Sequence, residues 1–155
     1  VEPEETAQFV HTIQTQAKTI ACTSSYVGLD KKRNMLHEDK RRDELLKFNI
    51  DFARQWPHNY AFYELEKNYK SQTQIPVFRQ GILFTGAFYN RLSKKIPAYS
   101  KGMLLSHFLS SKQFRPSHIF MIDNKLAKLK SVEQAAKNLS IPFTGFWYGR
   151  IKFTF

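Results

Sequence analysis

A single cysteine, Cys22, stands among the 155 residues, so the chain can build neither an internal disulfide nor a thiolate zinc cluster. No apolar run approaches the ~18 residues that a membrane span needs, and no short apolar run behind basic residues marks a signal peptide. The expectation is a protein without a membrane span, soluble, in the cytoplasm or exported. Acids are scarce: 13 Asp and Glu stand against 24 Lys and Arg, a net charge of +11. Such a surface attracts polyanions and phosphorylated substrates but carries no information about fold. Gly81 to Gly86 lacks both the Gly-Lys-Ser/Thr of a P-loop and the three-glycine spacing of a dinucleotide site. Glycine at position 28, six after Cys22, removes the arginine that a cysteine phosphatase requires. The five histidines, His11, His37, His58, His107 and His118, show no metal-ligand spacing.

What is present suffices for one core: 42% of the residues are hydrophobic and 15% aromatic, which predicts a single domain over 1–155. Pro3, the acids after it and the Phe9, Val10, Ile13 stripe predict a helix ending near Ala17. Thr19 to Thr23 reads as a short buried strand that stops in the hydroxyl-rich Thr23-Ser24-Ser25. Asp39 to Phe48 has helical composition, and Ile50 to Ala53 reads as a candidate strand. Residues 54–76 read as an insertion or cap element. Val77 to Thr85 is β-rich with a bend at Gly81, and Gly86 to Tyr99 reads as a loop.

Ser100 caps a helix from Lys101 to about Ser111; Pro116 separates it from a strand over His118 to Ile122. Ser131 and Gln134 form a capping-box pattern that opens a helix over Val132 to Leu139, followed by a last strand over Ile141 to Phe146. Helices alternating with near-continuous apolar strands predict an α/β fold: a three-layer, Rossmann-like parallel sheet with helices on both faces.

Ligands of such sheets sit beyond the carboxyl ends of the strands. Three segments bring polar groups to that position: Thr23 and Ser24 after one strand, Lys101 at the head of a helix, and Asp123 and Asn124 after another strand. Because Ser131 already supplies a cap for the following helix, Asp123 reads as a carboxylate free for another task. Oxygen ligation of Mg²⁺ is the chemistry that suits it.

A hydroxyl, a lysine and an acid in this order resemble the second, third and fourth motifs of the haloacid dehalogenase superfamily. The segments "GILFTG" (81 to 86), "YSKGMLLSHFL" (99 to 109), "HIFMIDNKLAKLKSVEQA" (118 to 135) and "LSIPFTGFWY" (139 to 148) resemble an uncharacterised bacterial branch of it. The resemblance implies a Mg²⁺-dependent phosphatase acting on a phosphorylated small molecule or phosphoprotein. It implies that Thr23, with Ser24, would hydrogen-bond a phosphoryl oxygen, that Lys101 would neutralise phosphoryl charge, and that Asp123 and Asn124 would hold the metal. Asn124 stands where that branch has a second acid. The Asp-x-Asp nucleophile of the superfamily occurs nowhere in this sequence. Either it lies with the first strand on a segment upstream of Val1, or catalysis has been lost and an inactive interaction domain remains. A nucleic-acid-binding module is the rival from another class, motivated by the charge and by aromatics beside a base in Phe146-Trp147-Tyr148-Gly149-Arg150.

Overall fold

The computed structural model describes residues 3–56, 58–61, 75–89, 95–97 and 99–148. The fold is α/β, as expected, and it divides into two compact units, Val1–Ala98 and Tyr99–Phe155.

The first unit opens with α1 (Pro3–Gln16), whose first turn carries Glu4 and Glu5 where carboxylates favour the helix dipole. β1 (Ala21–Thr23) follows, then a two-stranded antiparallel ribbon of β2 (Leu29–Asp30) and β3 (Met35–Leu36), then α2 (His37–Leu46). β4 (Tyr60–Ala61), β5 (Val77–Arg79) and β6 (Ile82–Phe84) complete a four-stranded sheet in the order β1-β6-β5-β4. β1 runs parallel to β6, whereas β5 pairs antiparallel with both β4 and β6. The β5–β6 connection is Gln80-Gly81, with φ of 51° and 77°. Two consecutive left-handed residues make the primed turn whose twist suits a tight hairpin. Phe78, Ile82, Leu83 and Phe84 are buried, and Trp56 meets Phe78 edge-on at 5.5 Å.

Two expectations in this unit fail. Ile50 to Ala53 is not a strand. α2 ends with Asn49 in the left-handed region (φ 58°) and the Ile50 N–H on the Leu45 carbonyl at 3.1 Å, which leaves Ile50 buried. Asp51 Oδ1 then accepts from the Ala53 N–H at 2.9 Å, a local turn that outcompetes an extended ladder and starts a 3₁₀ turn over Ala53–Gln55. The loop expected over Gly86 to Tyr99 contains a hairpin instead, β7 (Ala87–Tyr89) with β8 (Lys95–Pro97). Of the segment 54–76, residues 57 and 62–74 lie outside the described residues.

The second unit runs α3 (Lys101–Ser111), β9 (Ile119–Asp123), α4 (Leu126–Asn138), β10 (Phe143–Trp147), with β9 and β10 parallel and Asp123 in register with Trp147. α3 and α4 pack on each other, and α4 lies against the β9–β10 pair. α3 starts where expected, Ser100 Oγ accepting from the Met103 N–H at 3.2 Å. Gln113 (φ 50°) and Ser140 (φ 55°) end the two helices in the left-handed region, with Phe114 N–H on the Leu109 carbonyl and Ile141 N–H on the Ala136 carbonyl.

α4 corrects the capping-box expectation. It begins at Leu126, and Ser131 lies inside it. Its buried residues, Leu129, Val132, Ala135 and Ala136, follow the helical period across Ser131, and burial of that stripe outweighs a local cap signal.

Candidate functional site

Lys101 and Asp123, separated by 22 residues in sequence, form a salt bridge: Lys101 Nζ donates to Asp123 Oδ2 at 2.7 Å. Both residues are buried, each 8% exposed. Lys101 is the first residue of α3 and Asp123 the last of β9. The carboxyl end of a parallel strand and the start of a helix thus deliver opposite charges to one point. Asp123 Oδ1 also accepts from the Lys125 N–H at 2.9 Å, so the carboxylate shapes the turn into α4. This revises the reason for singling it out: Asp123 does perform a local structural task, and the ion pair with Lys101 is what sets it apart. The turn is held from the other side by Trp147, whose indole N–H donates to the Asn124 carbonyl at 3.3 Å.

Burial pushes the Asp123 carboxyl up, but the Lys101 hydrogen bond, the Lys125 N–H and the charges of Lys101 and Lys128 together hold it below its usual range. A group whose pKa is lowered on folding stabilises the fold above its unfolded pKa and loses that contribution as pH falls through the folded value. The urea midpoint of the wild-type protein minus that of Asp123→Asn is therefore expected to be constant from neutral pH down to roughly pH 5 and to shrink below it. A difference that grows on acidification would contradict the assignment.

Asn124 is exposed and follows Asp123 directly. As donors for Mg²⁺, the pair supplies one carboxylate and one amide oxygen. Each Asp123 oxygen keeps a second lone pair after its hydrogen bond, and Mg²⁺ commonly takes one or two carboxylates with water and phosphate filling the remaining positions. As a donor set this is sparse: one carboxylate, already engaged by Lys101 and the Lys125 N–H, and one exposed amide. No group of three or more His, Cys, Asp or Glu side chains suited to a metal occurs among the described residues. A groove of 410 Å³ on this unit, lined by Ser100, Met103, His107, Ser131 and Gln134 among others, has a mainly apolar surface and gathers no Asp, Glu, Lys or Arg side chain.

Thr23 and Ser24, the other expected site residues, belong to the first unit. Thr23 ends β1, its carbonyl accepting from the Thr85 N–H at 3.0 Å, and both residues are half-buried. The buried hydroxyl of that loop is Ser25, with Arg41 Nη2 at 3.5 Å from its Oγ. Nearby, Glu38 is buried and accepts from the Gly28 N–H at 3.0 Å, while the Gly28 carbonyl takes the His37 N–H. The Tyr26 and His37 rings meet at 5.4 Å with their planes tilted by 39°. Sequence reasoning missed this anchoring of the post-β1 loop on α2. Its only signal was one glutamate among many charges, ten residues downstream of a glycine. Glu38→Ala is expected to lower stability by about 1–2 kcal/mol, read as a shift of the urea midpoint at constant slope.

Comparison with known proteins replaces the family expectation. The family model that matches is described as "Protein of unknown function (DUF2608)" and covers residues 1–154. No curated protein and no solved structure matches. The resemblance to the haloacid dehalogenase superfamily is thereby corrected: the match is to a different model and spans nearly every residue, so the segment likeness does not assign the chain.

Proposed function

The chain belongs to this family of unknown function, and from its own residues we propose that the Lys101–Asp123 pair is the charge-handling part of a Mg²⁺-dependent phosphohydrolase. One observation carries the reading: an ammonium and a carboxylate, both buried, meet at 2.7 Å where a strand ends and a helix begins. Burying such a pair costs desolvation that the attraction rarely repays, so a buried salt bridge is poor evidence of a purely stabilising role. Phosphoryl transfer, by contrast, calls mainly for preplaced charge.

An ammonium has three N–H donors, and Asp123 takes one. The other two would bind the oxygens of a phosphate monoester, on a small molecule or a phosphoprotein. Asp123 keeps the lysine aimed, and Asn124 with Asp123 would hold Mg²⁺. When bound, that ion supplies positive charge against the phosphate. The net charge of +11 draws such anions toward the surface. The nucleophile is not assigned to residues 1–155; on this reading a segment upstream of Val1 supplies it. The parallel β1–β6 and β9–β10 pairs go with the same reading, since the carboxyl ends of parallel strands collect polar groups. The hydroxyl role expected of Thr23 and Ser24 carries no part of it.

The test is release of inorganic phosphate from p-nitrophenyl phosphate, by residues 1–155 and by the protein with its encoded upstream sequence, each with Mg²⁺ and with chelator. Mg²⁺-dependent release by the longer form alone is the expected result. Release that ignores the chelator overturns the metal role, and absence of release from both forms overturns the reading in favour of an inactive interaction domain.

A further inference from the structure

β9 has the composition of a central strand and the position of an edge strand. Ile119 to Ile122 are four apolar residues in succession, the pattern of a parallel strand covered on both faces. Yet among the described residues β9 pairs with β10 alone. The Ile119 N–H reaches the Pro142 carbonyl, and the Asp123 carbonyl takes the Tyr148 N–H. That alternation directs the backbone groups of Phe120 and Ile122 away from β10. Their side chains are uncovered too, Phe120 being 67% and Ile122 53% exposed, with Phe146 exposed beside Ile122 in register. His118 stacks on Phe120 at 4.2 Å without burying it.

β10 carries devices that blunt an edge, Pro142 at its approach and Gly145 within it, whereas β9 has neither proline nor glycine and its one charge, Asp123, stands at its end. A two-stranded ladder is marginal by itself, and an unprotected apolar edge is a template for another strand. Charge selects the occupant. Residues 99–155 hold nine Lys and Arg against Asp123 and Glu133, which disfavours a second copy of the same basic surface and favours an acidic segment.

We propose that the free edge of β9 is a strand-addition site for an acidic, alternately apolar segment of a separate partner protein. Backbone hydrogen bonds to Phe120 and Ile122 give the pairing, and alternate apolar side chains extend the face formed by Phe120, Ile122 and Phe146. The proposal is independent of the phosphohydrolase reading.

The probe is a fluorescent synthetic peptide of alternating valine and glutamate, titrated into residues 1–155 by anisotropy. Amide hydrogen exchange of Phe120 and Ile122 is followed by NMR in the same samples. The peptide is expected to bind and to slow exchange at both amides, with valine–lysine and polyglutamate peptides failing to do so. Phe120→Ser and Ile122→Ser, exposed positions at which the fold should survive, are expected to weaken binding by about tenfold each, checked against an unchanged circular dichroism spectrum. Equal binding of polyglutamate, binding of the valine–glutamate peptide without protection of those amides, or protection already present in the free chain as monomer or dimer would each overturn it.

Discussion

Asp123→Ala is expected to destabilise the protein by about 3–5 kcal/mol, because it leaves the Lys101 ammonium buried without its carboxylate. Replacing both members, Lys101→Met with Asp123→Leu, is expected to recover most of that loss, since two apolar groups of similar size remove the desolvation cost along with the attraction. The loss of the turn bond to the Lys125 N–H stays, at about 1 kcal/mol. Phosphate release should not recover. In whichever form of the protein releases phosphate, the double variant is expected to fall by about 100-fold or more, the scale on which preplaced charge contributes to catalysis. Denaturant melts of the two single variants and the double variant, paired with the phosphate assay, separate the two roles. A double variant that is stable and fully active would leave the pair with no part in chemistry.

The second large effect concerns the residue beside Lys101. The Gly102 N–H donates to Ser131 Oγ at 3.1 Å, which locks the first turn of α3 against the middle of α4. A Cβ at Gly102 would land on the Ser131 carbonyl oxygen and lie 2.5 Å from its carbon. Backbone cannot swing aside as a flexible side chain can, so Gly102→Ala must push the helices apart. The expected cost is about 3 kcal/mol, and the displacement carries Lys101 with it. A thermal melt should show the loss, and phosphate release should drop at temperatures where the variant is still folded. Ser131→Ala, which removes the hydroxyl and keeps the close approach, should cost only about 1 kcal/mol. A Gly102→Ala protein as stable as the wild type would mean the helices are not in this contact.

Much of the chain was legible because its signals were local. Pro3 with its acids, Ser100 three residues before Met103, and the bend at Gly81 each act through neighbours in sequence, and each reappears in the structure. Ser131-Gln134 was an equally local signal and misled, because the buried stripe from Leu129 to Ala136 had a longer reach. Ile50 to Ala53 misled for the opposite reason: its apolar residues suggested a strand, but Asn49 and Asp51 closed turns on either side. The β7–β8 pairing had no turn signature that composition could show.

Lys101, Asp123 and Asn124 were picked from the sequence by their positions at element ends, and family likeness pointed the same way before the match to another family withdrew that support. The sequence by itself determined the charge excess, the α/β alternation and which polar residues would stand at strand and helix termini. These follow from composition and short-range periodicity. Only the tertiary structure decided that Lys101 and Asp123 share one buried contact, that Gly102 is a point where α3 and α4 touch, and that β9 has one unpaired edge among the described residues. Such facts depend on which distant segments are neighbours, and burial and pairing across that distance leave no mark on the residues between.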